Sequence, residues 1–110
     1  MSYEVIRQGR TSIVKLTGDI DMHVSPQARR TLLQCLDGDH DLVVDLAGVS
    51  YIDSSGVATL VECYQTARSQ QVRFALLGVS QSALNVLKLA RLDQVFPIHA
   101  SLEACLARGG

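Results

Sequence analysis

Four consecutive residues, Asp53-Ser54-Ser55-Gly56, concentrate the reactive groups of this chain. They lie between an apolar, strand-like stretch and a strongly patterned helix. A loop of that kind is where a rigid scaffold presents functional groups. Three readings compete. The first is helix capping: Ser54 or Ser55 takes up free N–H groups, Asp53 favours the positive end of the helix, and Gly56 permits tight packing. Capping alone does not require all four residues together. The second is a nucleophilic serine, which needs a base within hydrogen-bond reach and an oxyanion hole. No G-x-S-x-G elbow is present. Of His23, His40 and His99, only His23 lies in a loop expected near Ser54. The third is regulated phosphorylation. A serine at a helix N-terminus is placed to hold a phosphate, because free N–H groups and the helix dipole favour negative charge. The phosphate would add about −1.5 to −2 charges near neutral pH. Asp53 is adjacent and Asp21, in the Gly18–Val24 loop, is expected close by. Such a charge could be tolerated by the helix yet repel an acidic or apolar partner surface.

Other chemistry has weaker support. Asp19, Asp21 and Asp53 could gather at one end of a sheet and hold magnesium, but solvated loop acids are the favoured reading. No glycine-rich phosphate loop of Walker or Rossmann spacing occurs, and no cofactor is expected. Cys35, Cys63 and Cys105 have no zinc spacing and read as buried small hydrophobes in a reducing compartment. The net charge of −1 leaves no basic footprint for nucleic acid, since Arg29-Arg30 is the one adjacent basic pair. Met1 to Arg10 carries charges and no apolar run, so no signal peptide is expected. The apolar runs are too short to span a bilayer. A cytoplasmic protein without membrane insertion is the expectation.

The elements that must position Asp53–Gly56 can be read from pattern. The chain has 110 residues, nearly half of them apolar, enough for one hydrophobic core. Tyr3–Arg7 and Ser12–Leu16 read as strands joined by a turn at Gln8-Gly9-Arg10. Gly18–Asp21 ends the second strand and begins a loop. Ser25-Pro26 reads as a helix start with Ser25 as cap, and Ala28, Leu32, Leu33 and Leu36 form its stripe. Asp37-Gly38 ends that helix. Leu42–Leu46 is a nearly continuous apolar strand, the mark of a central parallel strand covered on both faces. After Ala47–Ile52 and the Asp53 motif, Val57, Leu60, Val61, Tyr64 and Ala67 mark a second helix. Val72–Leu77 is a further buried strand. Ser80 caps a third helix containing Ala83, Val86, Leu87 and Ala90. Val95–Ile98 is a short edge strand, and Ser101 starts a final helix. The order β-β-α-β-α-β-α-β-α implies an α/β domain with a mixed, mostly parallel five-stranded sheet and about four helices. One domain is expected over the whole chain, with a core over about 3–107.

Together these segments resemble the STAS family (sulphate transporter and anti-sigma factor antagonist domains), over nearly the whole chain. Gly18-Asp19-Ile20-Asp21 is similar to the family's G-x-[LIV]-D segment. Val43–Val49 and Tyr51-Ile52-Asp53-Ser54-Ser55-Gly56 resemble its central signature. Val86–Phe96 resembles its third helix and last strand. The resemblance implies a protein-binding switch rather than an enzyme. In stand-alone bacterial members the unphosphorylated protein holds an anti-sigma factor, often a serine kinase of the GHKL ATPase type, and so frees a sigma factor. The kinase phosphorylates the serine after the motif aspartate, which matches Ser54, and a phosphatase reverses the mark. Asp21 and Asp53 match family acids beside that serine. The implied contact surface comprises the Gly18–Val24 loop, with Met22 and His23, and the start of the second helix, with Ser55, Gly56 and Ala58.

The chain departs from the family at Ala58, where a second glycine is frequent. The added methyl lies on the implied contact face. A second implied function has a different character. Some stand-alone STAS proteins are cytoplasmic subunits of lipid-transporting ABC systems that bind the transporter ATPase and need no phosphorylation.

Overall fold

A computed structural model describes residues 2–107. The elements are β1 (Ser2–Gln8), β2 (Thr11–Ile20), α1 (Ser25–Cys35), β3 (Asp41–Ile52), α2 (Ser54–Gln70), β4 (Phe74–Leu77), α3 (Gln81–Leu89), β5 (Ile98–His99) and α4 (Leu102–Ala107). They form one sheet in the order β1-β2-β3-β4-β5. Only the β1–β2 hairpin is antiparallel, and β2 to β5 run parallel. The expected order, mixed sheet and four helices are all present.

The apolar runs explain the layers. In β3, Leu42, Val44 and Leu46 face α1, α2 and α3, and each is fully buried. Val43 points to the opposite face, where Ile13, Ala75, Leu77 and Cys105 of α4 meet it. Covering on both faces is why this strand shows no polar alternation. In α2, Val57, Leu60, Cys63 and Ala67 recur at helical spacing and enter the larger core. Tyr64, Phe74 and Phe96 close its far end with edge-on ring contacts. The three cysteines are free and buried, as their isolation in sequence implies.

Several boundaries differ from the sequence expectation. β2 does not end before Gly18: it continues to Ile20 because Gly18, Asp19 and Ile20 pair with Val49, Tyr51 and Ile52 of β3. The pairing survives two register shifts, and Gly18 adopts φ +88° between them. β3 likewise absorbs Ala47–Ile52. β4 starts at Phe74 rather than Val72, because Val72 N–H closes the end of α2 by bonding to the Ala67 carbonyl. The last strand is confined to Ile98–His99. Val95 and Phe96 instead donate to the Leu92 carbonyl in a turn after α3. α1 stops at Cys35, with Leu36 as its C-cap, just short of Asp37-Gly38.

Candidate functional site

The site is assembled by the extra length of β2 and β3. Ile20 and Ile52 are register partners, so the two strands finish side by side and their loops emerge together. Asp53 N–H donates to the Ile20 carbonyl at 3.1 Å, which ties the two exits. Asp21 then begins the turn into α1: its carbonyl accepts from Val24 N–H at 3.1 Å and Ser25 N–H at 2.8 Å. Its side chain accepts from His23 N–H at 3.0 Å. The turn after Ile20 and the start of α2 thus leave the same end of the sheet.

Asp53, not either serine, caps α2. Its Oδ1 accepts from Ser55 N–H at 2.9 Å and Gly56 N–H at 3.2 Å. A carboxylate there satisfies two orphan donors and opposes the helix dipole, so no serine is needed for the task. Ser25 is not a cap either. The residue before α1, Val24, has helical backbone angles and supplies no side-chain cap, because the Asp21 carbonyl already organises that turn. Pro26 does sit in the first turn as expected. At α3 and α4 the expected serines do act: Ser80 Oγ accepts from Ala83 N–H at 3.3 Å, and Ser101 Oγ accepts from Ala104 N–H at 3.2 Å.

The freed hydroxyls have different fates. Ser55 donates to Asp53 Oδ1 at 2.5 Å and lies 2.7 Å from Ser25 Oγ. Ser25 Oγ is also 2.8 Å from the Asp21 carbonyl. Two hydroxyl protons serve three contacts. With Ser55 giving its proton to the carboxylate, Ser25's is shared between Ser55 Oγ and the Asp21 carbonyl. The hydroxyl bond from Ser55 is the largest influence on the Asp53 carboxyl; with the lesser N–H bonds of Gly56, Ser55 and Met22 it outweighs desolvation, the second largest, and holds the group below its usual range. Asp53 is therefore ionised near neutral pH. Ser54 is exposed, and among the described residues its hydroxyl has no hydrogen-bond partner. The two adjacent serines are thus a bound one and an unengaged one.

Gly56 explains how α2 comes so close to the strand ends. A Cβ there would stand 2.6 Å from Ile52 Cγ1 and 3.0 Å from Ile20 Cγ2, both on buried side chains. Ala58 points outward, as does His23, and Met22 is 68 % exposed. Between α1 and α2 an open depression of about 370 Å³ adjoins Met22, Pro26, Ser55 and Thr59, with Arg29 and Arg30 beside it. Arg29 makes a bidentate pair with Glu62 of α2, both bonds 2.7 Å. That pair raises the guanidinium pKa and lowers the carboxyl's. All eight expected residues thus lie on or beside one end of the sheet, with Gly56 beneath the surface. Ser25 was missed as a site residue, and nothing in Ser25-Pro26 distinguishes a cross-loop tether from a cap.

No histidine among the described residues hydrogen-bonds either serine, and Asp53 Oδ1 is occupied by Ser55 and two N–H groups. Asp19 is exposed. No group of three His, Cys, Asp or Glu side chains among the described residues is placed to hold a metal ion. No helix among them is long and apolar enough to cross a membrane.

The STAS domain family matches residues 2–105, nearly all of the chain. The chain belongs to the STAS family. An anti-sigma-B factor antagonist of Bacillus subtilis is 26 % identical over 99 residues, which cover 89 % of this chain and 91 % of that protein. Solved structures share the fold. An anti-sigma factor antagonist from Mycobacterium paratuberculosis superposes with a TM-score of 0.88 at 24 % identity, covering 97 % of this chain and 92 % of the other. The Bacillus cell fate determinant SpoIIAA in its phosphorylated form gives 0.76 at 22 % identity, covering 97 % and 98 %. Its unphosphorylated form gives 0.84 at 21 % identity, covering 97 % of this chain and 95 % of the other.

Proposed function

We propose that this STAS protein is an anti-sigma factor antagonist, a binding switch that holds an anti-sigma factor when Ser54 is unmodified and releases it when Ser54 is phosphorylated. The observation that carries this reading is the unengaged, exposed hydroxyl of Ser54 at the start of a helix already capped by Asp53. A kinase can reach that oxygen without breaking a hydrogen bond. The neighbouring Ser55 would have to leave Asp53 and Ser25 first. The names of the relatives support the antagonist role, and one structural relative is known in phosphorylated form.

The partner in this reading is an anti-sigma factor that is itself a serine kinase of the GHKL ATPase type, with a phosphatase acting on phospho-Ser54. Both place the protein in the cytoplasm, and it works by binding rather than catalysis. Asp21, Met22, His23, Asp53, Ser54, Ser55 and Ala58 form the contact surface, and Gly56 sets the helix position beneath it. A phosphate on Ser54 would add about −1.5 to −2 charges beside the ionised Asp53. An apolar or acidic partner surface then meets a charge it cannot neutralise.

The test is capture from source-cell lysate on wild-type and Ser54→Asp baits, followed by titration of the captured partner. A GHKL-type kinase should be held by the wild type and bound at least tenfold more weakly by Ser54→Asp. It should also phosphorylate the wild type but not Ser54→Ala. A transporter ATPase held equally by both baits would overturn the reading and assign the protein to a transporter.

A further inference from the structure

We infer that β1 is a self-pairing edge, through which two copies of this chain join into one continuous sheet. β1 lies at the end of the sheet and all seven of its residues are exposed. Among the described residues eight large apolar side chains stand exposed, and three of them, Tyr3, Val5 and Ile6, belong to this strand. Proteins usually protect such an edge with charged side chains, lysine above all, with proline, a bulge or a covering loop. β1 contains neither Lys nor Pro, its two charges, Glu4 and Arg7, are of opposite sign, and it pairs with β2 through seven successive partners without a register shift.

The free backbone groups can be identified. Arg10 carbonyl accepts from Asp41 N–H at 2.8 Å, so Arg10, and with it Ser12 and Val14, turn toward β3. Thr11, Ile13, Lys15 and Thr17 therefore turn toward β1, where their partners are Gln8, Ile6, Glu4 and Ser2. That leaves the N–H and C=O of Tyr3, Val5 and Arg7 facing outward.

The sequence of β1 suits a second copy. Antiparallel pairing across a two-fold axis engages all seven residues only when the axis passes at Val5. Val5 then faces the second copy's Val5, and Tyr3 faces the second copy's Arg7. Those three outward residues exchange backbone hydrogen bonds around the axis. Their side chains share one face, since Tyr3, Val5 and Arg7 are register partners of Leu16, Val14 and Ser12. Valine meets valine at the centre, and a guanidinium lies beside a tyrosine ring on each side. Arg7 is already steadied by Asp37 at 3.7 Å. On the other face Glu4 opposes Ile6, so no like charges stand directly opposite. The axis is normal to the sheet, which sends the two Ser54 sites to opposite ends and leaves both open.

The experiment is sedimentation of the purified full chain from about 1 μM to about 1 mM, where a small, strand-edge interface should dissociate. Wild type should show a reversible monomer–dimer equilibrium. Val5→Lys places two ammonium groups face to face at the axis, and Val5→Glu places two carboxylates there. Each variant alone should dimerise at least tenfold more weakly. An equimolar mixture of the two should recover the wild-type constant or better, which also shows that both variants fold. Wild type remaining monomeric throughout would overturn the inference and leave the edge to a strand from a different protein. Variants that dimerise as wild type does, or a mixture no stronger than its components, would overturn it as well.

Discussion

Ser54→Ala and Ser55→Ala alter adjacent residues by the same single atom, and the structure assigns them opposite consequences for stability. The Ser54 hydroxyl is exposed with no partner among the described residues, and the cap of α2 is Asp53. Its removal forfeits no hydrogen bond, and alanine is the better helix former by a few tenths of a kcal/mol. The expected change is within about 0.5 kcal/mol. Treating Ser54 as the cap would instead give a loss of about 0.5–2 kcal/mol. The Ser55 hydroxyl donates to an ionised carboxylate at 2.5 Å and contacts Ser25 Oγ at 2.7 Å. A hydrogen bond to a charged group contributes about 1.5–3 kcal/mol. Ser55 is only half-buried, and water can replace part of the bond, so a loss of about 1–2 kcal/mol is expected. Urea denaturation followed by circular dichroism resolves the two cases. Thermal melting provides a check, with roughly 4–8 °C per kcal/mol in domains of up to about 100 residues. A loss above about 1 kcal/mol in Ser54→Ala, or none in Ser55→Ala, would refute the assignment of the cap and the tether.

Gly56→Ala should cost about 1–3 kcal/mol, because the new methyl meets the buried Ile52 and Ile20 side chains at 2.6 and 3.0 Å and one of them must shift within the core. A denaturation midpoint equal to wild type would show that α2 can shift without cost. Asp37 links the end of α1 to His40, and that hydrogen bond, then the Asp39 N–H, lowers its carboxyl to about 2. A carboxyl depressed on folding stabilises the native state above its unfolded value near 3.8, and the contribution fades as pH falls from there through about 2. Carbon-detected NMR should find this midpoint, and His40→Ala should move it upward; an unmoved midpoint would refute the role of His40. Burial pushes the Cys63 thiol up to about 12, so it should resist a thiol reagent at pH 8 in the folded protein and react in urea. Rapid native labelling of Cys63 would refute its burial.

The fold was legible where one physical signal dominated. The continuous apolar run at Leu42–Leu46 marked the central strand, and the spacing of Val57, Leu60, Tyr64 and Ala67 marked α2. Strand ends were harder, since Gly18 and the polar residues around it look like a loop, and their strand character comes from pairing with Val49, Tyr51 and Ile52. Tertiary pairing overrides local preference at such places. The site motif was legible as a unit, but the roles within it were not. Asp, Ser and Ser are all good caps, so composition cannot rank them. The ranking comes from where Ser25 arrives, thirty residues away in sequence, to occupy Ser55. Gly56 is legible as a close-packing residue because a glycine at the first turn of an apolar-striped helix has few other uses.

Under the proposed function, these roles set how a phosphate on Ser54 would act. Asp53 keeps the first N–H groups of α2 satisfied whatever happens at Ser54, and Gly56 seats the helix on Ile20 and Ile52. Phosphorylation therefore need not melt or move the helix. In that proposal the change a partner would meet is local charge, added next to a carboxylate that is already ionised. At physiological ionic strength such a charge acts over about 8 Å. Its influence is then confined to partner groups in contact with the α2 N-terminus and the Asp21–His23 turn. Repulsion of that origin weakens with added salt, whereas release through unfolding of α2 would expose the apolar surface of Val57 and Leu60 and would be insensitive to salt. Partner release by phospho-Ser54 should accordingly be blunted between low and high ionic strength while the α2 amides stay protected from hydrogen exchange. Loss of that protection on phosphorylation would mean that the helix itself is the moving part.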